Sequence, residues 1–363
     1  MISHCLPDGS ETVEIDGQHK ILSVLFTEDG KQVWSGGVEG KFRRWRVDNG
    51  HMVGEPIQTG GGEIFAAALS PDGKWLACGL RPLKLNDGKA SVRVWDTQSH
   101  EKVLDIKDHT NTVCSVDISL DSTKLATGSC DEAAFIWSMI TGERLVGPLE
   151  HGGSVLAVQF SPNGDRIATA TAAENSKDPK TAKSIRIYDS DDGRQLLDIP
   201  FRVYSQSLPL AWSADGLQLF AASYGEVTRF DTTSGTVLSK WLVLDDDPFA
   251  SIILSRNQKF AVVATSDLLS FWDTSTDQQI GTVIQISSLV WAIALSPTDD
   301  HIATGEQDGT VTLRSLRSIL PDSYLKVDVS DKLGNVVQFN TSWSITVALD
   351  VHQRCGIYIM DTG

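Results

Sequence analysis

A unit that returns eight times along the chain constrains the fold more than any other feature. An apolar stretch ends in Ser or Thr and is followed by a tight turn and a second apolar stretch. Another turn leads to a third stretch that closes on a large residue, often followed by Asp; "SVLFTEDGKQVWSGGVEGKFRRWR" is the first copy. The residues ending the first stretches are Thr27, Ser70, Ser119, Ser161, Ser213, Ser255, Ser296 and Ser342. Their partners at the end of the third stretches are Trp45, Trp95, Trp137, Tyr188, Phe230, Trp272, Arg314 and Met360. The separations are 18, 25, 18, 27, 17, 17, 18 and 18 residues, so the second and fourth units each carry an insertion.

Apolar alternation over short stretches bounded by Gly, Asp and Pro predicts strands. A fourth strand candidate lies between units, as in "EKVLDIKD" and "ERLVGPLE". Four short antiparallel strands cannot bury their apolar faces alone and must stack on neighbouring units. Arranged radially, such sheets make a β-propeller.

"SPDGKWLACG…SVRVWD", "SLDSTKLATGSCDEAAFIWS" and "SPNGDRIATA…SIRIYD" resemble WD-repeat (WD40) units, and the resemblance runs over nearly the whole chain. "TGERLVGPLEHGGSVLAVQFSPNGDRIATA" is especially similar to the arrays appended to fungal signalling NTPases, although no Gly-x-x-x-x-Gly-Lys-Ser/Thr loop occurs here. The expectation is an all-β chain, one propeller of four-stranded blades spanning residues 1–363, with eight blades by repeat count and seven as the alternative. The last unit stops after its third strand, and "SETVEIDGQH" parallels "HEKVLDIKDH". Residues 10–16 are therefore expected to supply the closing outer strand of the last blade, leaving no free sheet edge.

Composition excludes several function classes. Lys plus Arg at 31 against Asp plus Glu at 47 gives a net charge of −16, which opposes nonspecific binding to nucleic acid or an anionic membrane. Arg43, Arg44 and Arg46 alternate with Phe42 and Trp45 but are not part of a wider basic stripe. The five cysteines form no Cys-x-x-Cys pair and read as free thiols in a reducing compartment. No apolar leader or run of about 18 apolar residues is present. The expectation is a soluble protein of the cytoplasm or nucleus.

The third unit carries His109, Thr127, Asp131 and Trp137, where WD-repeat units resemble one another in carrying a hydrogen-bonded His, Ser/Thr, Asp, Trp set. A hydroxyl, an imidazole and a carboxylate also suit nucleophilic catalysis. The structural reading is preferred: each group satisfies the next, so the set can be buried and holds the turn "GSCDEA". The fourth unit keeps His151 and Thr169 without the turn Asp, and the seventh has Arg314 in place of Trp. The eight histidines show no short ligand spacing, and Asp245, Asp246 and Asp247 read as a solvated loop before a calcium site, so no metal or other cofactor is expected.

Both insertions, 81–90 and 172–183, fall between second and third strands and emerge on the face that carries the connections between blades. They form net-basic fingers on an acidic body: Arg81, Lys84, Asn86, Asp87 and Lys89 in one, Glu174, Asn175, Lys177, Asp178, Lys180 and Lys183 in the other. Surface turns tolerate polar insertions at little cost, yet loops on a rigid scaffold are also where binding varies. Trp291 is assigned to core packing ahead of an exposed anchor on the channel rim. The leading expectation is a non-enzymatic scaffold, monomeric within a larger complex, that binds a protein or peptide around blades two to four. The alternatives are a sensor module of a signalling NTPase system or a hydrolase with a channel metal. First strands reading "ILSVLF", "IFAAAL", "VLAVQF" and "VWAIAL" make the last too apolar for a hard cation.

Overall fold

The Ser or Thr that ends each first strand builds the turn after it. Thr27 Oγ1 donates to Asp29 Oδ1 (2.6 Å) and accepts the Gln32 N–H (3.1 Å), while Asp29 Oδ1 accepts the Lys31 N–H (3.0 Å). The same hydroxyl-to-Asx bond links Ser70 to Asp72, Ser119 to Asp121, Ser161 to Asn163, Ser213 to Asp215 and Ser255 to Asn257. Such local side-chain bonds satisfy backbone groups that a two-residue reversal would leave open. Gly30 sits in this turn at φ +67°, where a side chain would be strained.

In the computed structural model, residues 2–5, 11–82, 90–172, 184–201, 209–244, 247, 249–325, 345–349 and 355–359 are described. They divide into two compact units, Met1–Leu325 and Lys326–Gly363. In the first unit the inner strands are Ile21–Phe26, Glu63–Leu69, Val113–Ile118, Ser154–Phe160, Leu210–Trp212, Ser251–Leu254 and Val290–Leu295. Each packs against the next, and the last packs against the first, closing a seven-bladed ring. Blade one continues outward through Gln32–Gly37, Lys41–Arg46 and Ile57–Gln58, and blades two to six repeat this antiparallel order.

The core lies between sheets. Trp34, Phe42 and Ile57 of blade one pack with Ile64, Leu76, Leu80 and Trp95 of blade two. The Gly that recurs in second strands serves this approach. A Cβ on Gly128 would stand 2.7 Å from Val155 Cγ1 of the next blade, and one on Gly305 would stand 2.5 Å from Ile21 Cγ2. Arg43, on the third strand of blade one, is buried; it pairs with Glu39 at 2.5 Å and donates to Gln18 at 3.1 Å, tying the entry to blade one in place.

The seventh blade corrects the count of eight. Its strands Val290–Leu295, His301–Glu306 and Thr310–Ser315 are completed by Glu11–Asp16, with Val13 opposite Leu313 and Ile15 opposite Val311. Ile2–Cys5 adds a fifth strand on the outside. The N-terminal segment closes the ring, but one repeat earlier than the eight-unit count implies. Its strand occupies the edge that the chain after Ser315 would otherwise take. That chain instead forms a short 3-10 turn, Leu316–Ser318, and the helix Asp322–Leu325, and Leu316 and Leu320 pack with Phe260, Leu269 and Ile302. The second unit contains a hairpin, Ile345–Leu349 with Cys355–Ile359, where a four-stranded eighth blade was expected. Ser342 and Met360, which marked that unit, lie outside the described residues.

Candidate interaction site at the channel mouth

Inner strands begin on the face where second strands end, here termed the upper face; in blade two, Glu63 faces Arg81 across the ladder. Near this face five inner strands carry a β-bulge. The register jumps between Ile21 and Ser23, Ile64 and Ala66, Val113 and Ser115, Val155 and Ala157, and Val290 and Ala292. A bulge leaves one residue without a ladder partner and re-aims its side chain. The five such residues are Leu22, Phe65, Cys114, Leu156 and Trp291, and all of them line a cavity of about 250 Å³ enclosed by the inner strands. Among the described residues, no charged side chain lines that cavity.

Trp291 is half-buried on this wall, which corrects its assignment to core packing. The Lys20 ammonium lies 3.4 Å from its ring centroid, the indole N–H donates to Gln307 Oε1 at 2.7 Å, and the Phe249 ring meets it edge-on at 5.9 Å. Burial lowers the pKa of Lys20; the Glu63 carboxylate opposes that shift, and Arg81 adds to it. Arg81 is exposed and 3.7 Å from Glu63. An indole fixed in orientation, with the Lys20 ammonium over it and an apolar well behind it, can receive an apolar side chain flanked by carboxylates.

Asp247 corrects the solvated-loop reading of the acidic run. It is buried, and its carboxylate accepts from the Phe249 N–H (2.8 Å), the Ser266 N–H (2.9 Å) and Ser266 Oγ (2.8 Å). It thereby positions Phe249 beside Trp291, a role that adjacent aspartates in sequence do not signal. Asp245 and Asp246 lie outside the described residues.

In blade three, His109 Nδ1 is 2.8 Å from Asp131 Oδ2, His109 Nε2 is 2.8 Å from Thr127 Oγ1, and the Trp137 indole N–H donates to Thr127 Oγ1 at 2.9 Å. Thr127 is fully buried and His109 nearly so, which bars a substrate from the hydroxyl. Burial pushes the Asp131 carboxyl upward, but hydrogen bonds from His109 and from the backbone N–H groups of Thr110 and Ala133 outweigh it and hold the pKa below the usual range. Blade four lacks the turn Asp, so His151 Nδ1 donates to the Leu149 carbonyl (2.7 Å) while Thr169 Oγ1 meets Nε2 at 2.8 Å. Burial and the nearby Arg186 charge depress this imidazole to about 4. Asp131→Ala is expected to lower stability by about 1–3 kcal/mol, because it strands a buried ring N–H; urea unfolding at neutral pH measures this, and an unchanged midpoint would contradict it.

Of the two fingers, Arg81 is described and stands at the upper face beside Glu63. Lys84, Asn86, Asp87 and Lys89 lie outside the described residues, as do Glu174, Asn175, Lys177, Asp178, Lys180 and Lys183. Sequence reasoning overlooked Lys20, Glu63, Phe249 and Gln307. Their signal was position, since each sits within two residues of an inner-strand start or a second-strand end. Among the described residues, no group of three His, Cys, Asp or Glu is placed to hold a metal ion.

A seven-bladed ring of four-stranded sheets, with a bulge-lined channel mouth and a buried His-Thr-Asp-Trp set in one blade, defines a β-propeller of the repeat type. The family model of the WD domain, G-beta repeat, matches residues 54–96, 100–138, 144–189 and 279–314. Each match begins at the fourth strand of one blade and ends in the third strand of the next, the same offset that makes the N-terminal strand close the ring. The chain belongs to the WD-repeat β-propeller family. It is 23% identical over 292 residues to the Intraflagellar transport protein 122 homolog of Mus musculus, covering 70% of this chain and 23% of that protein. It is 28% identical over 229 residues to WD repeat-containing protein 1 of Gallus gallus, covering 61% and 35%. It is 23% identical over 232 residues to Autophagy-related protein 16 of Arabidopsis thaliana, covering 62% and 43%. The chain thus spans less than half the length of each of these relatives. At this coarse level it is a protein-interaction scaffold.

Proposed function

We propose that this propeller is a non-enzymatic scaffold that holds an acidic or mixed-charge peptide segment of a partner protein across the upper channel mouth, with Trp291 as the apolar anchor. The observation that carries this reading is the setting of Trp291: half-buried, oriented by Gln307 and Phe249, and faced by Lys20 above an apolar cavity. Fixed aromatics beside a desolvated pocket dominate peptide interfaces, and a rigid ring loses little entropy on binding. The composition of the two insertions favours the same class of segment, because Arg81, Lys84 and Lys89 in one and Lys177, Lys180 and Lys183 in the other make both net-basic in sequence on a chain of net charge −16.

A display library of random peptides selected on the full chain tests this. Enrichment in Asp and Glu around one apolar residue is expected. Trp291→Ala is expected to weaken the selected peptides at least tenfold, on the order of a 2 kcal/mol anchor. Lys20→Glu with Arg81→Glu is expected to slow association and flatten its salt dependence. Leu217→Ser, in an exposed turn at the far ends of the strands, is the control and leaves binding unchanged. Equal binding by all three variants, each with a native melting curve, would remove the channel mouth as the site.

A further inference from the structure

Cys114 and Cys130 occupy neighbouring strands of blade three, and their backbones are held where they stand. Cys114 is the bulged residue of the inner strand Val113–Ile118, which places its side chain on the wall of the channel cavity. Cys130 follows the second strand, Lys124–Ser129, and its N–H donates to the Thr112 carbonyl at 2.9 Å. Ser129 Oγ fastens the same turn to the inner strand, donating to the Asn111 carbonyl (3.0 Å) and the Thr112 carbonyl (2.9 Å) and accepting the Asp131 N–H (3.1 Å). Between these two fixed backbones the Sγ atoms are 2.7 Å apart. A separation this short lies inside ordinary sulfur contact, and a disulfide bond of about 2.05 Å needs a further approach of roughly 0.7 Å.

We propose that Cys114 and Cys130 are a redox-active thiol pair that closes to an intramolecular disulfide at the channel mouth when the chain meets an oxidised low-molecular-weight disulfide. The two thiols are unequal. Cys130 is half-buried and therefore reachable, whereas Cys114 is buried. The shared hydrogen bond with Cys114 lowers the pKa of Cys130; burial and the Asp131 carboxylate oppose this, and Ser154 and the Arg81 guanidinium reinforce it. The same shared bond, together with burial, raises Cys114. The Cys130 thiolate is thus the attacking group and Cys114 the resolving one, since the thiolate is the nucleophile. The Cys130 thiolate attacks one sulfur of glutathione disulfide, and the S–S bond of that molecule breaks and expels one glutathione thiolate. Cys114 then loses its proton to that thiolate or to solvent and attacks Cys130 Sγ, expelling the second glutathione thiolate. Two protein thiols are oxidised to one disulfide and one glutathione disulfide is reduced to two glutathione molecules. Cys78, fully buried and with its thiol pushed far up by that burial, takes no part.

Cys114 lines the same cavity as Trp291, but the inference does not rest on the peptide reading and is tested on the full chain carrying Cys5→Ser and Cys355→Ser, which leaves Cys78, Cys114 and Cys130 as its thiols. After incubation in glutathione buffers of stepped potential, intact mass analysis is expected to show a loss of about 2 Da, the two thiol hydrogens, and subsequent alkylation to add two fewer groups than on the reduced chain. Proteolysis is expected to yield a peptide joining Cys114 to Cys130, and dithiothreitol to reverse it. Cys114→Ser is expected to stop the reaction at glutathione bound to Cys130, and Cys130→Ser to slow thiol modification about tenfold or more. Full alkylation of both thiols at every potential, or glutathione retained on Cys130 in the parent with Cys114 still free, would overturn the proposal. A melting curve for each Ser variant separates lost chemistry from lost fold.

Discussion

Removal of residues 2–16 is expected to abolish the cooperative melting transition, while a chain ending at Leu325 keeps one. The closing strand Glu11–Asp16 supplies the ladder partner of Thr310–Ser315. Its Ile15 is 3% exposed and packs with Val24, Trp45, Ala303 and Leu313, residues from the first and last blades. Losing Ile15 alone to Ala costs about 2–5 kcal/mol by cavity formation, and a folded domain has only about 5–15 kcal/mol in hand. Removing the whole strand also leaves the edge of Thr310–Ser315 unpaired and unlinks the two blades between which the ring closes. Circular dichroism against temperature measures both chains, with Ile15→Ala as the graded case. A sharp transition in the N-terminally shortened chain would refute the closure described here. Loss of the transition in the chain ending at Leu325 would restore the eight-bladed count.

Asp117→Asn is expected to stabilise the protein at pH 8 and to change little at pH 4. Asp117 lies on the inner strand of blade three, where Oδ2 accepts the Phe160 N–H of blade four at 2.7 Å. Burial raises its pKa to about 7, and the backbone N–H groups of Phe160 and Ile118 pull the other way without matching it. In the unfolded chain an aspartate titrates near 3.9. Between roughly pH 4 and 7 the folded state therefore holds a proton that the unfolded state has released, and stability falls as pH rises through that window. At about 1.36 kcal/mol per unit the slope sums to about 4 kcal/mol, an upper bound that solvent relaxation reduces. Asn presents the same acceptor to Phe160 with no charge to bury. The gap between variant and parent midpoints in urea at pH 4, 6 and 8 isolates the half-buried Asp117 from the buried Asp299 and Glu306, whose pKa values burial also raises. A gap that stays constant with pH would mean Asp117 is ionised in the folded chain throughout.

Much of the propeller was legible because its causes are local. The hydroxyl that ends an inner strand needs an Asx two residues on to close the turn, and both are written side by side from Thr27 and Asp29 to Ser255 and Asn257. The Gly of second strands records how near the next blade comes, as at Gly128 against Val155. The His109, Thr127, Asp131 and Trp137 set was legible as a group because its spacing follows from one blade's ladders, with Thr127 on the second strand and Trp137 opposite Leu125 on the third. The blade count was misjudged because a repeat marks three strands and leaves the fourth to whichever segment reaches the edge first. Thr310–Ser315 found its partner about 300 residues away in sequence; the likeness of "SETVEIDGQH" to "HEKVLDIKDH" marks that segment as a fourth strand, but no local pattern says which blade it completes.

Trp291 shows the same boundary at a single side chain. Its strand reads as an unbroken apolar run, which suits a core position, but the one-residue bulge between Val290 and Ala292 turned it to the channel wall. By itself the sequence determined the sheet class, the turns, the stacking of repeats and the hydrogen-bonded set, since each depends on residues within one unit or in neighbouring units. The tertiary structure alone decided how many units enter the ring, which residues stand at its mouth, and that two cysteines sixteen positions apart come within 2.7 Å. Those outcomes depend on ring closure and on bulges, where a single residue of register moves a side chain from one environment to another.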